Sequence, residues 1–200
     1  MINVIKSGVG NVGSLIRVIE DLEIQYKIVE KPQDFSSSPK ILLPGVGSFD
    51  SYIGELKKNN LFDEINERVV SKKHSILGIC VGMQSLFNGS NEGVLEGFKF
   101  IEGVFNKFIP VNNQKVPHLG WNTIDIRKDD PLFSDINNKS FYFAHGYSLP
   151  FQEENCLTST DYIIKFCSSV KKDNIYGVQF HPEKSYSQGL QLIKNFILKC

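Results

Sequence analysis

Gly78-Ile79-Cys80-Val81-Gly82 sets a cysteine between two glycines, in the G-x-nucleophile-x-G layout of a sharp strand-to-helix turn. The glycines let strand and helix approach closely, and the turn leaves the side chain exposed at the carboxyl edge of a sheet. A helix opening at Val81 adds free N–H groups and partial positive charge beside the sulfur, the setting in which a cysteine acts as a nucleophile. Such a nucleophile needs a base, and the base needs an orienting acceptor. In Gln179-Phe180-His181-Pro182-Glu183-Lys184, His181 is the candidate base. Glu183, with Pro182 fixing the turn between them, is the candidate acceptor for its other ring N–H. The order Cys…His…Glu differs from the Ser…Asp/Glu…His order of α/β-hydrolases, so geometry has to carry the assignment.

Attack on an acyl group creates an oxyanion, which backbone N–H groups can stabilise. The N–H of Val81 is one candidate donor. Pro44-Gly45-Val46-Gly47 is the other source, because its glycines free the peptide around Val46 and Gly47 to turn an N–H inward. The remaining cysteines and histidines have no ligand spacing. Cys156 and Cys167 read as small apolar fillers in or near strands, and Cys200 is uninformative. His74, His118 and His145 form no H-x-x-x-H pair. Neither a structural zinc site nor a disulfide framework is expected, and this chemistry calls for no cofactor.

A rival motif stands at the start of the chain. Gly8-Val9-Gly10-Asn11-Val12-Gly13 fits G-x-G-x-x-G between a strand and a helix, with Glu30 near the end of the following strand. A nucleotide-binding protein would use these residues for a pyrophosphate and a ribose. A tight turn that simply wants glycines is the plainer reading.

The elements that must position these residues alternate. Strands are expected at Ile2–Lys6, Tyr26–Val29, Ile41–Leu43 and Ser75–Ile79. Helical spacing runs through Leu15, Ile16, Ile19 and Leu22, through 53–56 and 61–70, and over 81–87. This alternation predicts parallel pairing with right-handed crossovers. Beyond about Ser90 the texture turns to strands, at Phe98–Phe108, Thr123–Ile126, Ser140–Ala144, Ile163–Ser169 and Ile175–Phe180, before a last helix over 188–199. The expectation is one α/β domain with a mixed, mostly parallel central sheet flanked by helices and an antiparallel extension.

The chain has 200 residues, with 22 Lys and Arg against 22 Asp and Glu. A zero net charge argues against a protein built to grip nucleic acid or an anionic membrane. No apolar run approaches the roughly 20 residues of a membrane helix. The opening MINVIKSGVGN meets glycines after one short apolar run, so no signal peptide and a cytoplasmic location are expected.

PGVGSF, LGICVGMQ, KVPHLGWN, YFAHGY and YGVQFHPEKS, in that order, resemble the motifs of class I glutamine amidotransferases. The resemblance runs from the first strand to the last helix and implies a Cys-His-Glu triad of Cys80, His181 and Glu183 on a flavodoxin-like core. It implies that Gln84, Gly47 and the stretch Gly146, Tyr147 and Ser148 line a glutamine pocket. Within the family, the motifs resemble most the glutaminase subunits of histidine biosynthesis. Those work in a heterodimer with a (β/α)8-barrel cyclase/synthase subunit, which receives ammonia and makes imidazole glycerol phosphate. By that likeness Asn11, Tyr142 and Lys184 lie at the partner interface, and the Gly8–Asn11 turn lies near the docking face. The length leaves no room for a synthase domain, so the partner is expected to be another chain. Departures at Lys6-Ser7-Gly8, at Gly146 and in the Tyr162–Ser169 run touch the docking and pocket surfaces. They keep open a related pair that aminates a sugar for cell-surface polysaccharide.

Overall fold

The computed structural model describes residues 1–10, 12–111 and 114–200. Asn11, expected in the first turn and at the interface, lies outside the described residues. The first half contains β1 (Ile2–Ile5), α1 (Gly13–Asp21), β2 (Tyr26–Val29), β3 (Lys40–Gly45), α2 (Phe49–Lys58), α3 (Leu61–Val70), β4 (Ser75–Cys80) and α4 (Val81–Ser85). The second half adds β5 (Gly89–Ser90), β6 (Val104–Lys107), β7 (His118–Thr123), β8 (Asp125–Ile126), β9 (Ser140–His145) and β10 (Tyr147–Ser148). It closes with β11 (Cys156–Asp161), β12 (Lys165–Lys172), β13 (Ile175–Val178) and α5 (Tyr186–Lys199). None of the described helices is long and apolar enough to cross a membrane.

The main sheet runs β2-β1-β3-β4-β13-β12-β11-β8. Its first five strands are parallel and follow the flavodoxin-like order, with β13 in the fifth place. The last three are antiparallel, the extension expected from the strand-rich second half. Strands buried on both faces need near-continuous apolar runs. Ile2, Val4, Ile5, Ile41, Leu42, Leu43, Ile76 and Leu77 supply them, and all are fully buried. Register then does the positioning. Gly45 lies opposite Cys80 and Val178 opposite Ile79, so the carboxyl ends of β3, β4 and β13 finish at one level.

One expected strand is largely absent and one strand arises where none was expected. Only Val104–Lys107 of the Phe98–Phe108 run is a strand. Phe98 stacks on Phe62 at 4.2 Å and on Phe100 at 5.0 Å, and the amides of Phe98, Lys99 and Phe100 bond to the carbonyls of Ser85, Phe87 and Leu86. The rings pack on α3 and on one another while the backbone bonds just past α4, so no ladder forms there. Conversely, Cys156–Asp161 was not expected as a strand, because CLTSTD lacks apolar alternation. It forms because its hydroxyls pair across strands: Thr158 Oγ1 lies 2.9 Å from Ser168 Oγ and 2.7 Å from Ser169 Oγ. Cys156 and Cys167 are buried as free thiols on these two strands.

Two small sheets close over the carboxyl edge. β7 pairs antiparallel with β9, placing His118 opposite His145. β10 pairs with β6, so the chain changes sheets at Gly146.

Candidate active site

Cys80 has φ 55° and ψ −114°, a left-handed conformation that an L-residue holds only under strain. The glycines around it are required by contact. A Cβ on Gly82 would stand 1.8 Å from the Leu43 carbonyl oxygen, and one on Gly78 would stand 2.6 Å from that of Gly82. The elbow therefore packs α4 directly onto the strands, and Cys80 emerges at the end of β4.

His181 arrives from the neighbouring strand. Its N–H donates to Tyr142 O at 2.8 Å, and Ser185 Oγ donates to its carbonyl at 2.6 Å, so its backbone is held at both ends. Nδ1 lies 2.7 Å from Glu183 Oε1, which leaves Nε2 for the hydrogen bond to Cys80. Burial opposes a charge on this ring. The Cys80 sulfur, and then the Glu183 carboxylate, outweigh burial and push the His181 pKa up to about 10. The ring is an imidazolium at neutral pH.

A cavity of about 270 Å³ opens over these groups, with Val46, Gly47, Cys80, Val81, Gln84, Glu92, Pro117, Ala144, His145, Gly146, Tyr147, His181 and Lys184 on its wall. That is just under the roughly 300 Å³ at which ligand clefts usually begin, a size for a single amino acid rather than a dinucleotide. Nine residues singled out in the sequence thus meet on one wall. Glu183 stands behind His181 instead. Ser148 is fully buried off the wall, its hydroxyl without a partner among the described residues. Tyr142 also lies off the wall, with Lys184 Nζ 5.6 Å from its ring centroid.

Gln84 is oriented for a ligand. Its Nε2 donates to Gln179 Oε1 at 3.2 Å, while its buried Oε1 has no partner among the described residues. That oxygen is an acceptor in need of a donor. Glu92 escaped the sequence reading altogether. One of its oxygens accepts the Phe49 N–H at 2.8 Å, and its carboxylate brings negative charge to the cavity wall. Nothing local in Ser90-Asn91-Glu92-Gly93 signals this, because a contact 43 residues away creates it. Pro117, Ala144 and His145 also went unassigned, although they sit inside KVPHLGWN and YFAHGY.

The glycine turn of the rival motif has a packing role. Gly8 and Gly10 have φ of +99° and +84°. A Cβ on Gly10 would fall 1.9 Å from Val46 Cγ2, so this turn rests against the loop at the end of β3. Glu30 is engaged by Lys6 at 2.6 Å.

A flavodoxin-like sheet whose carboxyl edge holds a strained cysteine, an imidazolium and its carboxylate has the parts of a cysteine-dependent acyl-transfer enzyme. The chain belongs to the family described as glutamine amidotransferase class-I, whose sequence profile matches residues 3–200. It is 45% identical over 199 residues to the imidazole glycerol phosphate synthase subunit HisH 2 of Methanococcus maripaludis, covering 98% of each chain. It is 43% identical over 198 residues to the imidazole glycerol phosphate synthase subunit HisH 1 of Campylobacter jejuni, again covering 98% of each. A solved structure titled as a glutamine amidotransferase superposes with a TM-score of 0.76 over 98% of this chain and 97% of its own, at 14% identity. That last likeness is one of fold.

Proposed function

We propose that this chain is the glutaminase subunit of an imidazole glycerol phosphate synthase, hydrolysing glutamine and handing ammonia to a separate (β/α)8-barrel cyclase subunit in a cytoplasmic heterodimer. The reading rests on the meeting of Cys80, His181 and Glu183 over one amino-acid-sized cavity in a chain with near-full-length relatives of that name.

The chemistry follows from the site. The Cys80 sulfur attacks the side-chain amide carbon of glutamine, forming a C–S bond and an oxyanion. The Val81 N–H and the Val46–Gly47 segment are the donors for that oxyanion. His181 gives its proton to the departing nitrogen, the C–N bond breaks, and ammonia leaves a glutamyl thioester. His181 then takes a proton from water, the hydroxide adds to the thioester, and glutamate departs as the Cys80–His181 pair is restored. Glu183 holds the imidazole oriented throughout. Gln84 Oε1 and the Gly146–Ser148 segment bind the amino-acid end, and Glu92 supplies the counter-charge for its ammonium. Lys184, on the cavity wall, and Tyr142, under its ammonium, are the described residues that would face the partner.

The acceptor is named by the partner. A Cβ on Gly146 would touch only Val116 Cγ1, at 3.9 Å, so packing does not impose this glycine. The test is to purify the chain with its barrel subunit and assay both nitrogen sources. Cys80→Ala should lower glutamine-dependent synthesis by about 10⁴-fold or more while synthesis from ammonium persists. Loss of both in a correctly assembled complex would overturn the ammonia-supplying role.

A further inference from the structure

His145 lies on the cavity wall, yet no step of glutamine hydrolysis uses its ring. Its Nδ1 is 2.8 Å from the carbonyl oxygen of Tyr147, two residues on. Its Nε2 is 3.1 Å from Nδ1 of His118, the residue facing it across β7 and β9. His118 Nε2 is in turn 3.2 Å from Asn122 Nδ2.

The protons along this chain are determined from both ends. Asn122 Oδ1 accepts the Thr123 N–H at 2.8 Å, and Nδ2 donates to the Asp161 carbonyl at 3.1 Å, which fixes the amide's orientation. An amide nitrogen only donates, so His118 Nε2 accepts and its proton sits on Nδ1. A carbonyl oxygen only accepts, so His145 also carries its proton on Nδ1 and offers a bare Nε2. The two deductions agree at the contact between the rings, where His118 donates and His145 accepts. His118 is held flat between Phe143, at 4.6 Å and 17°, and Tyr162, at 4.0 Å and 15°. Burial keeps both rings neutral, lowering the His118 pKa to about 4 and that of His145 to about 3.

This relay ends where the pocket needs a defined shape. The chain leaves one sheet at His145 and enters another at Tyr147, and Gly146 between them has no side chain to fix the corner. The bond from His145 Nδ1–H to Tyr147 O closes that corner from within. Ala144, just before it, points its carbonyl at Cys80 Sγ from 3.9 Å.

We propose that His145, oriented by His118 and Asn122, is a positioning residue that holds the Ala144–Ser148 segment in the shape that binds glutamine. The proposal rests on the glutaminase reading above and adds to it a specific role for a buried cluster outside the triad.

The test uses two His118 variants in the two-subunit complex. His118→Phe keeps a ring between Phe143 and Tyr162 but removes the donor to His145. His118→Asn loses the stacked ring but leaves an amide N–H near the Nδ1 position. The expected result is a KM for glutamine raised about tenfold in His118→Phe, since small misplacements at a binding segment are costly. Its kcat and its rate of Cys80 alkylation by iodoacetamide should stay within about threefold of the parent. His118→Asn should have a KM closer to the parent despite a lower melting temperature. Asn122→Ala, at a partly exposed site, should fold readily and raise KM by about two- to threefold through release of the His118 tautomer. An unchanged KM in both His118→Phe and Asn122→Ala would overturn the proposal, as would a KM that simply follows melting temperature across the variants. If the parent complex itself neither releases glutamate nor is alkylated at Cys80, the glutaminase reading fails instead.

Discussion

The site contains two histidine arrangements with opposite electrical fates. His181 lies between a sulfur and a carboxylate, and its pKa stands near 10 despite burial. His145 and His118 are buried against each other and against aromatic rings, with only carbonyl and amide partners, and they fall to about 3 and 4. Burial opposes charge in all three. What differs is whether an anion faces the ring. On the proposed reading, one arrangement delivers a proton during catalysis and the other holds a backbone corner. The residue type says little until its neighbours are known.

The largest effect that would test this contrast is on the charged side. His181→Asn should reduce glutamine hydrolysis by about 10³- to 10⁴-fold, because general acid–base transfer is lost at both halves of the reaction. Glu183→Gln keeps a hydrogen bond to Nδ1 but removes the charge, and should cost about 10- to 10²-fold in kcat. Steady-state rates in the partner complex check both. A Glu183→Gln enzyme as fast as the parent would mean that orientation alone, without charge, is what His181 requires.

A smaller effect appears in stability against pH. An unfolded histidine titrates near 6.5. The depressed pair contributes stability above that pH, and it is lost as pH falls from about 6.5 through about 4 and then 3. His181 contributes below about 6.5, and its share is lost as pH rises through about 10. Melting temperatures from pH 4 to 10 should therefore fall on both sides of neutrality. His118→Phe should flatten the acid limb alone, and His181→Asn the alkaline limb alone. Identical flattening in both variants would dissolve the distinction.

Much of this site was legible because covalent spacing carried it. Gly78 and Gly82 announce the elbow around Cys80, and Pro182 ties His181 to Glu183 within one turn. The parallel half of the sheet was equally plain, since apolar strands such as Ile41–Leu43 and Ser75–Ile79 alternate with amphipathic helices. What escaped depends on contacts distant in sequence. Glu92 reaches the cavity through a bond to Phe49, and the bare Nε2 of His145 finds a donor because β7 sets His118 opposite it. The Phe98–Phe108 run misled for the reverse reason. Its rings pack on α3 and on one another, which apolar content cannot separate from a buried strand.

The charge contrast itself can be observed directly by long-range ¹H–¹⁵N correlation of the histidine side chains at pH 7.5, in the parent chain and in Cys80→Ala. In the parent, His181 should show both ring nitrogens protonated, while His118 and His145 show neutral rings with the proton on Nδ1. Cys80→Ala should lower the His181 pKa and leave the other two rings neutral. A neutral His181 in the parent, or a His145 carrying its proton on Nε2, would contradict the account.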